Sequence, residues 1–177
     1  MIFENIWGGL RSNYSAYIIS MKDAKLQGSI LEGPRLGICA ANAKIQDTKI
    51  NTDGHGCPSD WGFGRGLKYA TCAGSGGANG GMGGYGGIED SNSGHYESCK
   101  EHKPVPYTYG LAPNFEGSGG ASGTQGSMLG GSGGGIVRLL VLNELKLSNS
   151  NILANGLPGV RGEGQGSGGG AGGTINI

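Results

Sequence analysis

The sequence predicts an all-β fold: a short right-handed parallel β-helix of about three to four rungs, with a long glycine-rich, disulfide-stapled insertion. Three observations predict it. A unit of alternating apolar and polar residues recurs at 24–30, 43–50 and 145–152. Each unit breaks after a few residues at Asn, Asp, Ser or Gly. Glycine makes up 41 of the 177 residues and is concentrated outside the repeats.

The repeats align residue by residue. Ala24-Lys25-Leu26-Gln27-Gly28-Ser29-Ile30 resembles Ala43-Lys44-Ile45-Gln46-Asp47-Thr48-Lys49-Ile50 at an offset of 19. The second unit resembles Leu145-Lys146-Leu147-Ser148-Asn149-Ser150-Asn151-Ile152 at an offset of 102. That match runs forward through Asp53-Gly54 and Asn155-Gly156. Carried backward at the same offset, it aligns Ile38 and Ala40 with Leu140 and Leu142. Period two means strand, and polar corners after so few residues exclude a helix. Short strands bury little alone, but rungs stacked about 4.8 Å apart pair their backbones and align apolar side chains in ladders. The expected ladder puts Ile45 between Leu26 and Leu147, and Ile50 against Ile152. Corner Asn and Asp residues tolerate left-handed backbone. The expected rungs are 16–32, 36–54 and 136–156, with a fourth beginning at 174. This makes residues 1–177 one domain, with rungs over 16–54 and 136–177 and insertions at 55–135 and 157–172.

The insertions carry tracts at 74–87, 117–135 and 162–173. Side-chain-free backbones approach closely and pair, and tyrosines at 85, 96, 107 and 109 lie near the first tract. Ordered packing is therefore expected over a free linker, at an entropy cost that a disulfide and tyrosine contacts must offset. Scattered GxG patterns lack the following helix that a dinucleotide site needs. Cys39, Cys57, Cys72 and Cys99 contain no CxxC. An even number in a polar chain suits disulfides and an oxidising compartment, with three pairings open. Cys72–Cys99 is favoured because it brackets the most glycine-rich stretch, which leaves Cys39–Cys57 as the second bridge. Asn13-Tyr14-Ser15 is the one glycosylation sequon, with Asn13 as acceptor. The N-terminus has neither basic nor apolar regions of a signal peptide, and both ends read as cuts within a longer chain or as ends that stack on a neighbour.

Charge excludes further classes. Thirteen basic residues balance thirteen acidic ones, so no chain-wide field favours nucleic acid. The longest apolar stretch, Ile136 to Leu142, is interrupted by Arg138, so no helical membrane span is expected. Polysaccharide hydrolases and lyases need paired carboxylates on adjacent rungs. Here Asp47 aligns with Asn149 and Asp53 with Asn155, so no acid ladder forms. His55, His95 and His102 lie in insertions, where loop histidines are usually solvated. No catalytic residue, metal ligand or cofactor is assigned. Glu89-Asp90-Ser91-Asn92-Ser93 offers hard oxygen ligands for calcium without an EF-hand pattern. Lys100 to Tyr107 is the most charged segment and reads as a solvated loop.

The order of motifs resembles a known group. It runs from Asp53-Gly54-His55-Gly56-Cys57 and Gly62-Phe63-Gly64-Arg65-Gly66 to Gly80-Gly81-Met82-Gly83-Gly84-Tyr85-Gly86-Gly87 and Tyr109-Gly110-Leu111-Ala112-Pro113. It continues through Gly117-Ser118-Gly119-Gly120 and Gly131-Ser132-Gly133-Gly134-Gly135-Ile136-Val137 to Gly166-Ser167-Gly168-Gly169-Gly170-Ala171-Gly172-Gly173-Thr174-Ile175. Over about 30–177 this is similar to glycine-rich β-helical, pectin-lyase-like modules of large cell-surface proteins in protists and plants. The resemblance implies a repeated extracellular or cell-surface module without an established activity. Such modules often carry a histidine in the first glycine tract, where Met82 stands here. The expected function is non-enzymatic and structural, with self-association or neighbouring modules end to end in a fibre or surface layer. The alternatives are a β-helix that binds or cleaves glycans and a receptor ectodomain that binds a protein ligand.

Overall fold

The computed structural model describes residues 5–6, 9–11, 13–69, 72–87, 96–108, 114–123, 128–161 and 166–177. Two compact units emerge. Unit 1 comprises 1–52, 136–154 and 175–177, and unit 2 comprises 53–135 and 155–174. The shorter glycine insertion thus joins the longer one, where the sequence suggests two separate excursions from one domain.

Unit 1 is built of parallel strands. They are β1 (Asn5–Ile6), β2 (Gly9–Arg11), β3 (Ala16–Ile19), β4 (Asp23–Gln27), β5 (Ile30–Glu32), β6 (Arg35–Gln46), β7 (Lys49–Asn51), β8 (Ile136–Ser148), β9 (Asn151–Leu153) and β10 (Thr174–Asn176). One sheet runs β1-β4-β6-β8-β10 with β3 also on β6, and the other runs β2-β5-β7-β9. The chain passes from one sheet to the other and back, and each pass pairs with the one before. Leu26, Ile45 and Leu147 share one register row, and Leu31, Ile50 and Ile152 share another. Inward positions build the core from Ile18, Leu26, Leu36, Ile38, Ile45, Ile50, Val137 and Leu139. Each such buried side chain contributes about 1.5–3 kcal/mol.

The corners repeat as faithfully as the strands. Gly28, Asp47 and Asn149 follow β4, β6 and β8, all with positive φ (59°, 50° and 47°). Asn149 donates through Nδ2 to Asp47 Oδ1 at 2.6 Å. The next residue in each coil turns its hydroxyl back two positions: Ser29 to Gln27 O, Thr48 to Gln46 O and Ser150 to Ser148 O. Gln46 O and Ser148 O also accept from Gly28 and Asp47 N–H, so at these two corners the hydroxyl shares a carbonyl already bonded to the preceding coil.

Three features differ from the sequence reading. β1 and β2 form a further coil before residue 16, pairing with β4 and β5. The expected short strands at 38–40 and 43–45 are fused into the twelve-residue β6. The third difference is a register correction. Ile38 pairs with Leu139 and Ala40 with Val141, not with Leu140 and Leu142. The cause is an irregularity at which Ala41 alone faces Leu142 and Asn143. One extra residue in β8 shifts the offset by one, and in a period-two element that reverses which face each side chain takes. Leu140 and Leu142 are accordingly 61% and 76% exposed.

Unit 2 has a different order. It holds one helix among the described residues, α1 (Tyr96–Glu101), and otherwise turns, bends and chain outside regular helices and strands. Segment 117–122 shows the principle. Gly117 and Gly120 donate to Gly134 and Gly131, and accept from Cys57 and Asp60. Ser118 and Ala121 accept from Ala171 and Gly168. Gly119 donates to Trp61 and accepts from Gly66, and Ala121 donates to Ser75. Bonds to 57–60, to 131–134 and to 168–171 recur every third residue, the period of a polyproline II chain, whereas a strand's is two. Threefold spacing lets one segment bond to five others around it. The tract needs glycine because the neighbours' backbones occupy the space of a side chain. A Cβ on Gly120 would lie 2.1 Å from Gly168 O, and one on Gly133 would lie 1.9 Å from Gly117 O.

Candidate functional site

The outer face of the six-stranded sheet in unit 1 is ordered in rows by strand register. Strand alternation sends Ala24, Ala43 and Ile45 inward, so Lys25, Lys44 and Lys146 point out and are exposed. Their register aligns them on three successive strands. Beside them run Gln27–Gln46–Ser148 on one side and Asp23–Asn42–Glu144 on the other. Asn42 donates through Nδ2 to Asp23 Oδ1 at 2.7 Å, and Lys146 Nζ lies 2.8 Å from Glu144 Oε2. Further along, the polar rows give way to Ile19–Cys39–Leu140 and Tyr17–Gly37–Arg138. The Tyr17 ring rests on Gly37, where a Cβ would lie 2.3 Å from Tyr17 Cδ1. Sequence reasoning followed the apolar repeat positions and missed this face. The signal was present, because lysine occupies the middle position of all three repeats.

Unit 2 carries an exposed aromatic group. Phe63, Tyr107 and Phe115 have ring centroids 5.9–6.1 Å apart. Tyr107 is anchored beneath, its hydroxyl donating to the Glu116 carbonyl and accepting from Ser118 Oγ, which in turn accepts from Gly64 N–H. Burial raises the Tyr107 pKa, Ser118 partly opposes this, and Cys57 and Glu116 add to it. At Asp60, burial pushes upward but is outweighed by bonds from Ser122 and by Lys68, so its carboxyl titrates below its ordinary value. Asp60 Oδ1 accepts from Ser122 N–H at 2.9 Å and lies 3.4 Å from Lys68 Nζ.

Cys72 and Cys99 are joined in a disulfide. Cys39 and Cys57 are not joined in a disulfide, which corrects the second bridge. Cys39 is fixed mid-strand between Ile19 and Leu140, while Cys57 is held by Gly117 O and Gly133 N–H in the other unit. Asn13 is exposed, and Met82 lines an open cleft with Asn79, Gly172 and Gly173. His102 stacks on Tyr69 at 3.8 Å and turns Nδ1 to Ser98 O. His95 and the acidic run 89–93 lie outside the described residues. Among the described residues, no cluster of three or more His, Cys, Asp and Glu is arranged to hold a metal. No helix among them is long and apolar enough to cross a membrane. No family model, curated protein or solved structure matches the chain.

Proposed function

We propose that this chain is a non-enzymatic extracellular structural module, and that unit 1 is a short right-handed parallel β-helix that stacks end to end in a fibre or surface layer. The observation that carries the reading is the uneven cover of one ladder. Leu26 and Ile45 are 1% and 0% exposed, while Leu147, in the same row, is 45% exposed. The three-residue β10 is the only strand beyond the thirteen-residue β8 among the described residues, and β9 ends its own sheet. Most of that edge therefore offers backbone groups and apolar rows to a further coil. A neighbouring module or second copy adding its strands in register extends both sheets, and a head-to-tail contact that does not close makes a filament. Right-handedness follows from the rule for crossovers between parallel strands. The Cys72–Cys99 bridge fits an oxidising compartment.

Electron microscopy and sedimentation of the purified chain test the proposal. Filaments or end-to-end oligomers are expected, and Leu147→Asp, which puts a charge at the open end, should abolish them. Uniform monomers at high concentration, or filaments that persist unchanged in Leu147→Asp, would refute it.

A further inference from the structure

We infer that the outer face of the six-stranded sheet binds a linear acidic polysaccharide laid along the row Lys25–Lys44–Lys146. The inference is independent of end-to-end stacking, since a single copy presents the whole row. Register places the three lysines on successive strands, so their positions repeat at about 4.8 Å. Like charges opposite one another across strands oppose the fold. The fold does little to relieve them. Lys146 has Glu144, but Lys25 and Lys44 have no ion-pair partner among the described residues. The nearby acid Asp23 is engaged with Asn42.

A ligand that complements this row carries negative charges in a line at about strand spacing. A glycan with one carboxylate or sulfate on each ring has that arrangement. The phosphates of each duplex nucleic-acid strand wind around a helix axis, with about 3.4 Å of axial rise between them, and so do not present a straight row to a flat sheet face. The flanking rows suit a sugar chain. Gln27 and Gln46 present amides and Ser148 a hydroxyl, which both donate and accept and so match ring hydroxyls. On the opposite side Asp23 and Glu144 repel an anion, which confines the polymer to the lysine row. The strands are fixed by pairing before any ligand arrives, so binding orders side chains but not backbone.

The test uses the full chain with alginate, dextran sulfate, neutral dextran and single-stranded DNA as probes. Alginate, dextran sulfate or both should bind, and which one binds distinguishes carboxylate from sulfate recognition. Lys25→Gln/Lys44→Gln/Lys146→Gln should weaken that binding roughly tenfold or more, the combined effect of three exposed charge contacts. The slope of log affinity against log salt should fall by about two. The charge-matched Lys49→Gln/Lys100→Gln/Lys103→Gln should stay within about twofold of the parent. Thermal melting should show the triple row variant at least as stable as the parent, because a like-charge row has been removed. The single Lys44→Gln, at the centre of the row, should reproduce the loss in part. Failure to bind either acidic glycan, equal binding of neutral dextran, DNA bound as tightly as the acidic glycans, or equal losses in both triple variants would each overturn the inference.

Discussion

Replacing Gly120 with alanine tests whether unit 2 is held by direct backbone packing. The added Cβ would lie 2.1 Å from Gly168 O, 2.4 Å from Gly168 C and 2.6 Å from Gly169 O. An unstrained carbon–oxygen contact needs about 3.3 Å, so the two segments must separate by roughly 1 Å. The displaced segment is tied in by Gly168 N–H to Ala121 O at 2.8 Å and by Ala171 N–H to Ser118 O at 2.9 Å. Losing one or two such buried bonds costs about 1–3 kcal/mol each, so Gly120→Ala should cost roughly 2–5 kcal/mol. Gly80→Ala is the matched comparison, because Gly80 is exposed and an added methyl there would meet nothing within 4 Å. It should change stability by less than about 1 kcal/mol, and in the stabilising direction if at all. Urea denaturation followed by circular dichroism measures both. Equal costs for the two variants, or a Gly120→Ala chain as stable as the parent, would refute the close-packed bundle.

Two other outcomes are expected. The Cys72–Cys99 bridge closes a loop with a sequence separation of 27, for which chain entropy gives about 3.5 kcal/mol. Cys72→Ser/Cys99→Ser should lower the melting of unit 2 accordingly, and an unchanged melting curve would contradict the assignment. Asp60 titrates below its ordinary 3.8, so its ionised form stabilises the fold above that value and the contribution is lost as pH falls through the lowered pKa. The stability difference between the parent and Asp60→Asn should therefore shrink below about pH 4, and a difference constant with pH would rule this out.

The strand content of unit 1 was legible because period two and polar corners are local signals. Residues 24–30, 43–50 and 145–152 announce themselves by spacing alone. The alignment of Ile38 with Leu139 was not legible. A bulge adds one residue without altering composition, and in Ile136 to Leu142 only Arg138 marks the outward parity, the other positions being apolar on both. β1 and β2 escaped notice because Asn5–Ile6 and Gly9–Arg11 are too short to show a period, and only their partners β4 and β5 define them. In the glycine tracts, ordered packing was expected from the cysteines and tyrosines. The central position of 117–122 was hidden, because one glycine tract reads like another until its hydrogen-bond partners are known. The lysine row was in plain view, and attention to the apolar positions on either side of it obscured it.

The threefold bonding of segment 117–122 also bears on how unit 2 responds to temperature. Its most buried side chains include Ser75, Ser118, Ala78 and Ala121, which bring little hydrocarbon into the interior. Unfolding it hydrates mainly peptide groups, and polar hydration lowers heat capacity where apolar hydration raises it. Calorimetry should therefore find a small heat-capacity increment per residue for unit 2, with a flatter stability curve than a hydrocarbon-filled domain of equal length. Such a body keeps its strength in the cold, where the attraction between oily side chains fades.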